Sequence, residues 1–431
     1  MLRTAVLVTL FAGRSLQAIS TRANNEDLDP LRLTEDGTFQ ISVFSDLHFA
    51  QDASGRGPEQ DRASVKVIGD ILDFETPDLV ILNGDLINGE DTRTENSTHY
   101  IDQIVAPMVD RNLTWASTYG NHDHNRNING SGILEREHMW PGSRTVAMIN
   151  TTNSGTTNYY LPVYPSNCTA AEDCTPELLL WFFDSRGGFY YQGSAQPNWI
   201  DTSVVEWFNE TNTGLVEEYG REIPSLAFVH IPIHATYLFQ KEQGPDENNQ
   251  PGINRESVVQ QGDGWCREGD DSGNCDYGDQ DLPFMRALVA TPGIMGLFYG
   301  HDHGNSWCYK WNSQLSDMTI TGNGINLCYG QHTGYGGYGD WIRGSRQIFV
   351  TQEGLRNNTV DTHIRLESGD VVGSVSLNST FNTDYYDATP NEKTYLGVTV
   401  SSTSSAYSFT FAQAYYASPI ISLASAIYLS I

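Results

Sequence analysis

Apolar residues recur along this chain in two alternating rhythms. Short, β-rich runs at TFQISVFSD (38–46), PDLVILNGD (77–85) and LTWASTYGN (113–121) read as strands. Between them, ASVKVIGDILDF (63–74) and THYIDQIVAPMVD (98–110) place apolar residues three and four apart. Both read as amphipathic helices, with Pro107 a potential kink in the second. Strand–helix–strand order with short connections predicts parallel βαβ units. ELLLWFFDS (177–185), SLAFVHIPI (225–233) and IMGLFYGHD (294–302) continue the strands, with helices expected around 198–209 and 281–290. Residues 240–280, rich in Gly, Asp and Asn, predict a long surface loop. After residue 305 the pattern turns to β, in runs around Trp307–Trp311, Ile325–Tyr329, Arg346–Thr351 and Thr362–Glu367. No repeat of 20–50 residues is visible. One domain is expected over 38–370, followed by a Ser/Thr-rich tail over 371–431.

The chain has 431 residues, 39% of them apolar, which is enough for a substantial core. A formal charge of −29 argues against nucleic acid or an anionic membrane as partner. It would also repel a phosphate, so any anion site needs local positive charge, which a metal can supply. Residues 1–18 read as a secretory signal: Arg3, the apolar AVLVTLFAG, and a cleavage site at Leu16-Gln17-Ala18. A buried first strand is the plainer alternative. Eight N-glycosylation sequons, at Asn96, Asn112, Asn129, Asn150, Asn167, Asn209, Asn357 and Asn378, fit secretion. The six cysteines fall into local pairs, read as the disulfides Cys168–Cys174, Cys266–Cys275 and Cys308–Cys328. No C-x-x-C spacing favours a zinc–thiolate site. The apolar end SPIISLASAIYLSI (418–431) is compatible with a GPI-anchor signal, placing the protein at the cell surface, or with a terminal strand.

Candidate chemistry sits where strands end. The first closes on Asp46-Leu47-His48, the second on Asn83-Gly84-Asp85, the third on Gly120-Asn121-His122-Asp123. A later strand closes on His230 and the last on Gly300-His301-Asp302-His303. In an extended backbone His301 and His303 face the same way. Ligands of α/β sheets gather beyond the carboxyl ends of strands, so these residues are expected to converge. Each has a bland reading alone: Gly-Asp is a common turn pair, and a histidine such as His230 in an apolar strand can be a satisfied core residue. It is the ordered set that points to metal.

That order, D-x-H, G-D, G-N-H-D, H and G-H-x-H over about 38–305, resembles the calcineurin-like metallophosphoesterase superfamily. FSDLHF, FVHIPI, GHDHGNSWC and TGYGGYGDWIRGSR (333–346) are similar to its fungal branch related to purple acid phosphatases, extending the resemblance to about 370. The resemblance implies a layered α/β fold, a β-sandwich flanked by helices and containing βαβαβ units. It implies two divalent ions, Fe, Mn or Zn: one on Asp46, His48 and His303, the other on Asn121, His230 and His301, with Asp85 bridging. His122 becomes the group that contacts phosphate and assists the leaving oxygen, and Asp123 an orienting neighbour or a solvated loop carboxylate. The implied activity is phosphomonoester hydrolysis by a metal-bridging hydroxide. The alternatives are phosphodiester hydrolysis on the same centre and an inactive extracellular glycoprotein.

Other positions are read from their surroundings. His124 has no evident role, His234 reads as a surface histidine or else one that reaches the substrate mouth, and Arg186 as half of a structural salt bridge or else a phosphate contact. The loop GYGGYGDWIRG reads as a Gly-rich hairpin, or else as a lid or rim. Purple members of the related family owe their colour to a tyrosinate three residues after the G-D aspartate. Asn88 stands there, and His48 occupies the first motif, so no such chromophore is expected.

Overall fold

The computed structural model describes residues 28–396, except 53, 150, 272 and 274. The expected signal segment, Asn150 and the apolar C-terminal stretch lie outside the described residues. In chain order the elements are β1 (Leu31–Arg32), β2 (Thr38–Phe44), α1 (Gly57–Phe74), β3 (Leu79–Asn83), α2 (Ser97–Asp110), β4 (Trp115–Thr118) and α3 (Gly130–Glu137). There follow β5 (Tyr159–Tyr164), β6 (Leu178–Phe183), α4 (Thr202–Tyr219), β7 (Ser225–Val229), α5 (His234–Glu242), α6 (Leu282–Ala290) and β8 (Ile294–Tyr299). The last are β9 (Cys308–Trp311), β10 (Ile325–Tyr329), β11 (Gly344–Thr351), α7 (Gln352–Arg356), β12 (Val360–Leu366) and β13 (Val371–Leu377).

Two sheets result, ordered β1-β5-β6-β7-β8-β10-β9 and β13-β12-β11-β2-β3-β4. Strand β6, LLLWFF, shows why they stack. Leu178, Leu180 and Phe182 pack with Phe39, Ile41, Val43 and Ile81 of the other sheet. Leu179, Trp181 and Phe183 face the opposite way, onto Val204 and Phe208 of α4 and Phe284 of α6. In β3, Leu79 and Ile81 look inward while Val80 and Leu82 meet Ile68 and Ile71 of α1. Period-two alternation with both faces apolar demands cover on both sides. Each such buried side chain contributes about 1.5–3 kcal/mol. The product is a helix–sheet–sheet–helix sandwich, with the unit β2-α1-β3-α2-β4 built as expected.

The differences from expectation have local causes. Helix α4 runs on to Tyr219 through the polar stretch NETNTGLVEEY, capped by Asp201 on Ser203 N–H and ended by Gly220 at φ 66°. The polar run hides its second half. Helices α3 and α5 are too short to stand out in the pattern. Residues 240–280 are not wholly surface: Val258, Gln261 and Trp265 are buried. The fold also does not end with the composition shift near 371. β13 pairs antiparallel with β12, burying Val375 and Leu377, and Phe381 beyond it is buried too. Its outward residues are Ser and Val, so composition conceals a strand.

β2, β3 and β4 are mutually parallel, as are β6, β7, β8 and β10. The expected ligands follow the ends of β2, β3, β4, β7 and β8.

Candidate metal centre

The turns after β2, β3 and β8 are set by unusual backbone. Asp46, His48, Asp85 and His301 adopt φ of 57°, 49°, 51° and 74°, a left-handed region costly for side chains other than glycine. Backbone bonds lock the first two turns together: Asp46 N–H donates to Gly84 O (3.0 Å), and Leu47 and His48 N–H both donate to Asp85 O (2.8 and 3.0 Å). Glycine is required where turns touch. A Cβ on Gly120 would lie 2.3 Å from Asp85 Oδ1 and 2.7 Å from His230 Cδ2. One on Gly337 would lie 2.4 Å from the His303 ring.

Three groups of potential donor atoms converge: Asp46, His48 and His303; His48, Asp85 and His122; and Asp85, His230 and His301. Asp85 sits between the others. Its Oδ2 lies 3.0 Å from His230 Nε2 and 3.7 Å from His48 Nε2, while Oδ1 accepts from His122 N–H at 2.8 Å.

Hydrogen bonds at the far ring nitrogens aim the near ones inward. His48 Nδ1 meets Asn88 Oδ1 at 2.6 Å, and Asn88 Nδ2 donates to Asp91, which fixes the amide so that its oxygen faces the ring. His303 Nδ1 donates to Tyr338 O at 2.9 Å. Burial holds both rings below the ordinary histidine range and so neutral, which leaves both Nε2 atoms unprotonated, and they stand 3.0 Å apart. Two lone pairs do not attract each other; a shared cation resolves the clash. His230 Nδ1 donates to Asn83 O at 3.0 Å, which turns its buried Nε2 onto Asp85 Oδ2, 3.0 Å away. Asn121 Oδ1 is buried and unpartnered. Burial keeps His48 and His301 neutral, pulling them down to about 4 and about 3, and pushes Asp46 up to about 7. Burial opposes charge on Asp85 as well, but His230 and the neighbouring histidines hold it well below the ordinary carboxylate range, and Asp85 in turn raises His230 to about 10, so His230 occupies as a cation the place a metal would take. The donors are a mixture of N and O with no thiolate, which suits Fe, Mn or Zn.

His122 lines the mouth of the centre, about one-third exposed, its ring 5.0 Å from that of His48. Glu90 Oε1 binds its Nδ1 at 2.5 Å, and Glu90 Oε2 accepts from Asn125 at 3.0 Å. Burial disfavours the imidazolium, but Asp85 and Glu90 outweigh it and hold His122 up to about 9. No motif singles out Glu90, although it closes the run GDLINGE directly after the G-D aspartate.

Asp123 is no solvated loop carboxylate. It is fully buried, with Oδ1 accepting from Leu86 and Ile87 N–H (2.9 and 3.0 Å) and Oδ2 from Gly120 N–H (2.8 Å). It orients the backbone around Asp85 rather than any ligand ring. Asp302 turns away from the centre, accepting from Tyr329 OH and Val259 N–H, which answers why an aspartate separates two inward histidines. His124 has a structural role: its Nε2 binds buried Asp184 at 2.8 Å. Arg186 is also structural, donating to Trp199 O and facing Asp201 at 3.7 Å. His234 is not a surface histidine. It opens α5, 8% exposed, stacked on Tyr277 with ring centroids 3.6 Å apart.

The Gly-rich segment 333–343 is neither hairpin nor free lid. It runs as a strap from β10 to β11 across His48 and His303. The Tyr338 ring stacks on His303 at 4.0 Å, and its hydroxyl donates to Glu256. Residues 392–395 fasten the strap from outside: Ile342 N–H donates to Glu392 O (3.1 Å), Thr394 N–H to Asp340 O (2.8 Å), and Lys393 lies over the Trp341 ring at 4.7 Å. The three expected disulfides are all present. Cys308–Cys328 ties β9 to β10, whose other neighbour is β8, the strand that carries His301 and His303.

Residues 39–305 match the sequence profile described as Calcineurin-like phosphoesterase. The chain belongs to that family. Relatives of this calcineurin-like phosphoesterase include "Probable inactive purple acid phosphatase 29" of Arabidopsis thaliana, 26% identical over 368 residues, covering 80% of this chain and 85% of the relative. "Phosphatase DCR2" of Saccharomyces cerevisiae is 26% identical over 365 residues, covering 81% of this chain but 57% of its own length. Among solved structures, a dimetal phosphatase from Danio rerio is similar at 12% identity and a TM-score of 0.47, over 81% of this chain and 99% of that one. The matched span of this calcineurin-like phosphoesterase takes in every expected ligand from Asp46 to His303.

Proposed function

We propose that this protein is a two-metal phosphomonoesterase, with Asp46, His48 and His303 holding one divalent ion, Asn121, His230 and His301 the other, and Asp85 shared. The observation that carries the reading is the pair of unprotonated Nε2 atoms of His48 and His303 facing each other at 3.0 Å. Bound there, two ions would supply Lewis acidity and acidify a water between them. The chain's own groups do the rest. Asn88 and Tyr338 O hold their rings in the metal-binding tautomer. Glu90 takes His122 Nδ1, so Nε2 is the nitrogen left to bind a phosphate oxygen and give its proton to the leaving alkoxide.

Some plant relatives carry the word inactive in their names. Here the expected histidine and aspartate ligands converge with His122, and Asn121 Oδ1 is buried without a partner, which favours an active enzyme. The test is metal analysis with p-nitrophenyl phosphate assayed beside its bis-ester. Two ions per chain and preferential monoester turnover support the reading; two bound ions with no turnover of either ester overturn it. Passage through an oxidising secretory route is part of the proposal. It is supported by the three disulfides and by the described sequons, none of which is buried. Among the described residues no helix is long and apolar enough to cross a membrane. A mass decrease on endoglycosidase treatment tests the glycans.

A further inference from the structure

The mouth of the centre is a cavity of about 290 Å³. His48, Asp85, His301 and His303 line its floor beside His122, but one side differs. Tyr338 is 50% exposed and Val259 38% exposed, two of the few large apolar residues left open to solvent among the described residues, and both line this cavity. Tyr338 is not loose. One ring face rests on His303 with planes 10° apart, and its hydroxyl is held by Glu256, which in turn accepts from Gly304 N–H at 2.8 Å. The ring is thus fixed, with surface still open toward the cavity. Among the described residues no Lys or Arg lines that cavity. The carboxylates next to its rim, Glu256 on Tyr338 and Glu90 on His122, are both already engaged.

An exposed, immobilised aromatic face beside an apolar neighbour offers stacking to a flat group. Apart from His122, which the proposed reaction gives to the transferred phosphate, no cationic side chain lines the rim to receive a second anion. We propose that Tyr338, with Val259 beside it, is the leaving-group wall of this site, and that the enzyme selects monophosphate esters whose leaving group is an uncharged aromatic ring. This rests on the two-metal phosphomonoesterase reading and names its substrate class. Tyr338 is then a specificity residue, acting on the group that departs rather than on the phosphate.

Non-hydrolysable phosphonates test it without requiring turnover. Calorimetric Kd values are measured on the metal-replete protein for benzylphosphonate, cyclohexylmethylphosphonate and 4-carboxybenzylphosphonate. Benzylphosphonate should bind about three- to tenfold more tightly than its saturated counterpart, the range expected for one aromatic contact. The carboxylated ligand should bind about fivefold or more weakly than benzylphosphonate, for want of a cation. Tyr338→Leu should bring the benzyl-to-cyclohexyl ratio close to one, whereas Tyr338→Phe keeps it. Because each comparison is a ratio within one preparation, partial metal loss cancels. A wild-type ratio near one, a ratio unmoved by Tyr338→Leu, or undiminished binding of the carboxylated ligand overturns the inference. Loss of ester turnover with these ratios intact would instead count against the phosphomonoesterase reading.

Discussion

Glu90→Gln separates proton donation from metal binding. In the wild type the carboxylate binds His122 Nδ1 at 2.5 Å and helps hold the imidazole up to about 9. The raised pKa fixes the sign: protonated His122, the form that can donate, is present below its folded pKa and is lost as pH rises through it. A hydrogen bond to a charged partner contributes about 1.5–3 kcal/mol, or about one to two pH units at about 1.4 kcal/mol per unit. Both side chains are a third or more exposed, and solvent screening reduces the expected shift to about one unit. Bound cations lower the absolute position, so the difference between variants is the quantity to read. The basic limb of kcat should therefore move about one unit toward acid in Glu90→Gln. Alkaline of both limbs kcat should fall about 10-fold, and well to the acid side it should stay near wild type. KM and metal content should stay near wild type. The assay is kcat against pH from 5 to 10 on both proteins, with metal content by mass spectrometry. A basic limb that does not move, moves alkaline, or is lost together with the metals would refute the role given to the His122–Glu90 pair.

Three further outcomes follow from the same geometry. Asp85→Asn should lose metal and activity together, while His122→Asn should keep two ions and slow turnover by about 10²–10⁴; metal analysis beside kinetics distinguishes them. Glu75 accepts from His363 (3.0 Å), Arg365 (2.8 Å) and Gln40 (2.6 Å), bonds that outweigh burial and hold it down to about 2 from an ordinary 4.5. Its stabilisation is complete above about pH 4.5 and disappears as pH falls through about 2, so Glu75→Gln should cost about 2 kcal/mol in urea unfolding at pH 7, by a gap that closes on acidification. The metal-replete protein should show no strong visible band, because Asn88 engages His48 where a phenolate would be required; an intense band lost on mutating a tyrosine would show that the first ion's ligands are misassigned.

The centre is legible in the sequence because its residues end strands, and a strand end with its loop is a local pattern. Asp46, His48, Asp85, Asn121, His122, His230, His301 and His303 can be read without knowing which strands are neighbours. Their supports cannot. Glu90 lies 32 positions from the histidine it binds, and Glu256 lies 82 from Tyr338. Such pairs exist only once the sheets are stacked, and an isolated Glu in a polar loop carries no periodic signal. His234 misleads for a related reason: a histidine after Pro232 reads as a loop residue until Tyr277 arrives to cover it. β13 escapes the pattern because its outward face is Ser- and Val-rich, which blurs the boundary with the polar tail that follows. The fold class is the easiest part, since alternation with both faces apolar leaves few arrangements other than a covered sandwich.

The left-handed turns at Asp46, His48, Asp85 and His301 carry an implication for descent. Each costs on the order of 1 kcal/mol that glycine, or in part asparagine, would not incur. In a lineage released from any need for metal, drift toward those residues would make the protein more stable, and nothing would oppose it. Four such positions amount to several kcal/mol, a large part of the stability of an ordinary domain. This chain has aspartate and histidine at all four. Strain kept at all four is what the proposed two-metal role calls for, and the same four turns are where a relative without that role should first relax.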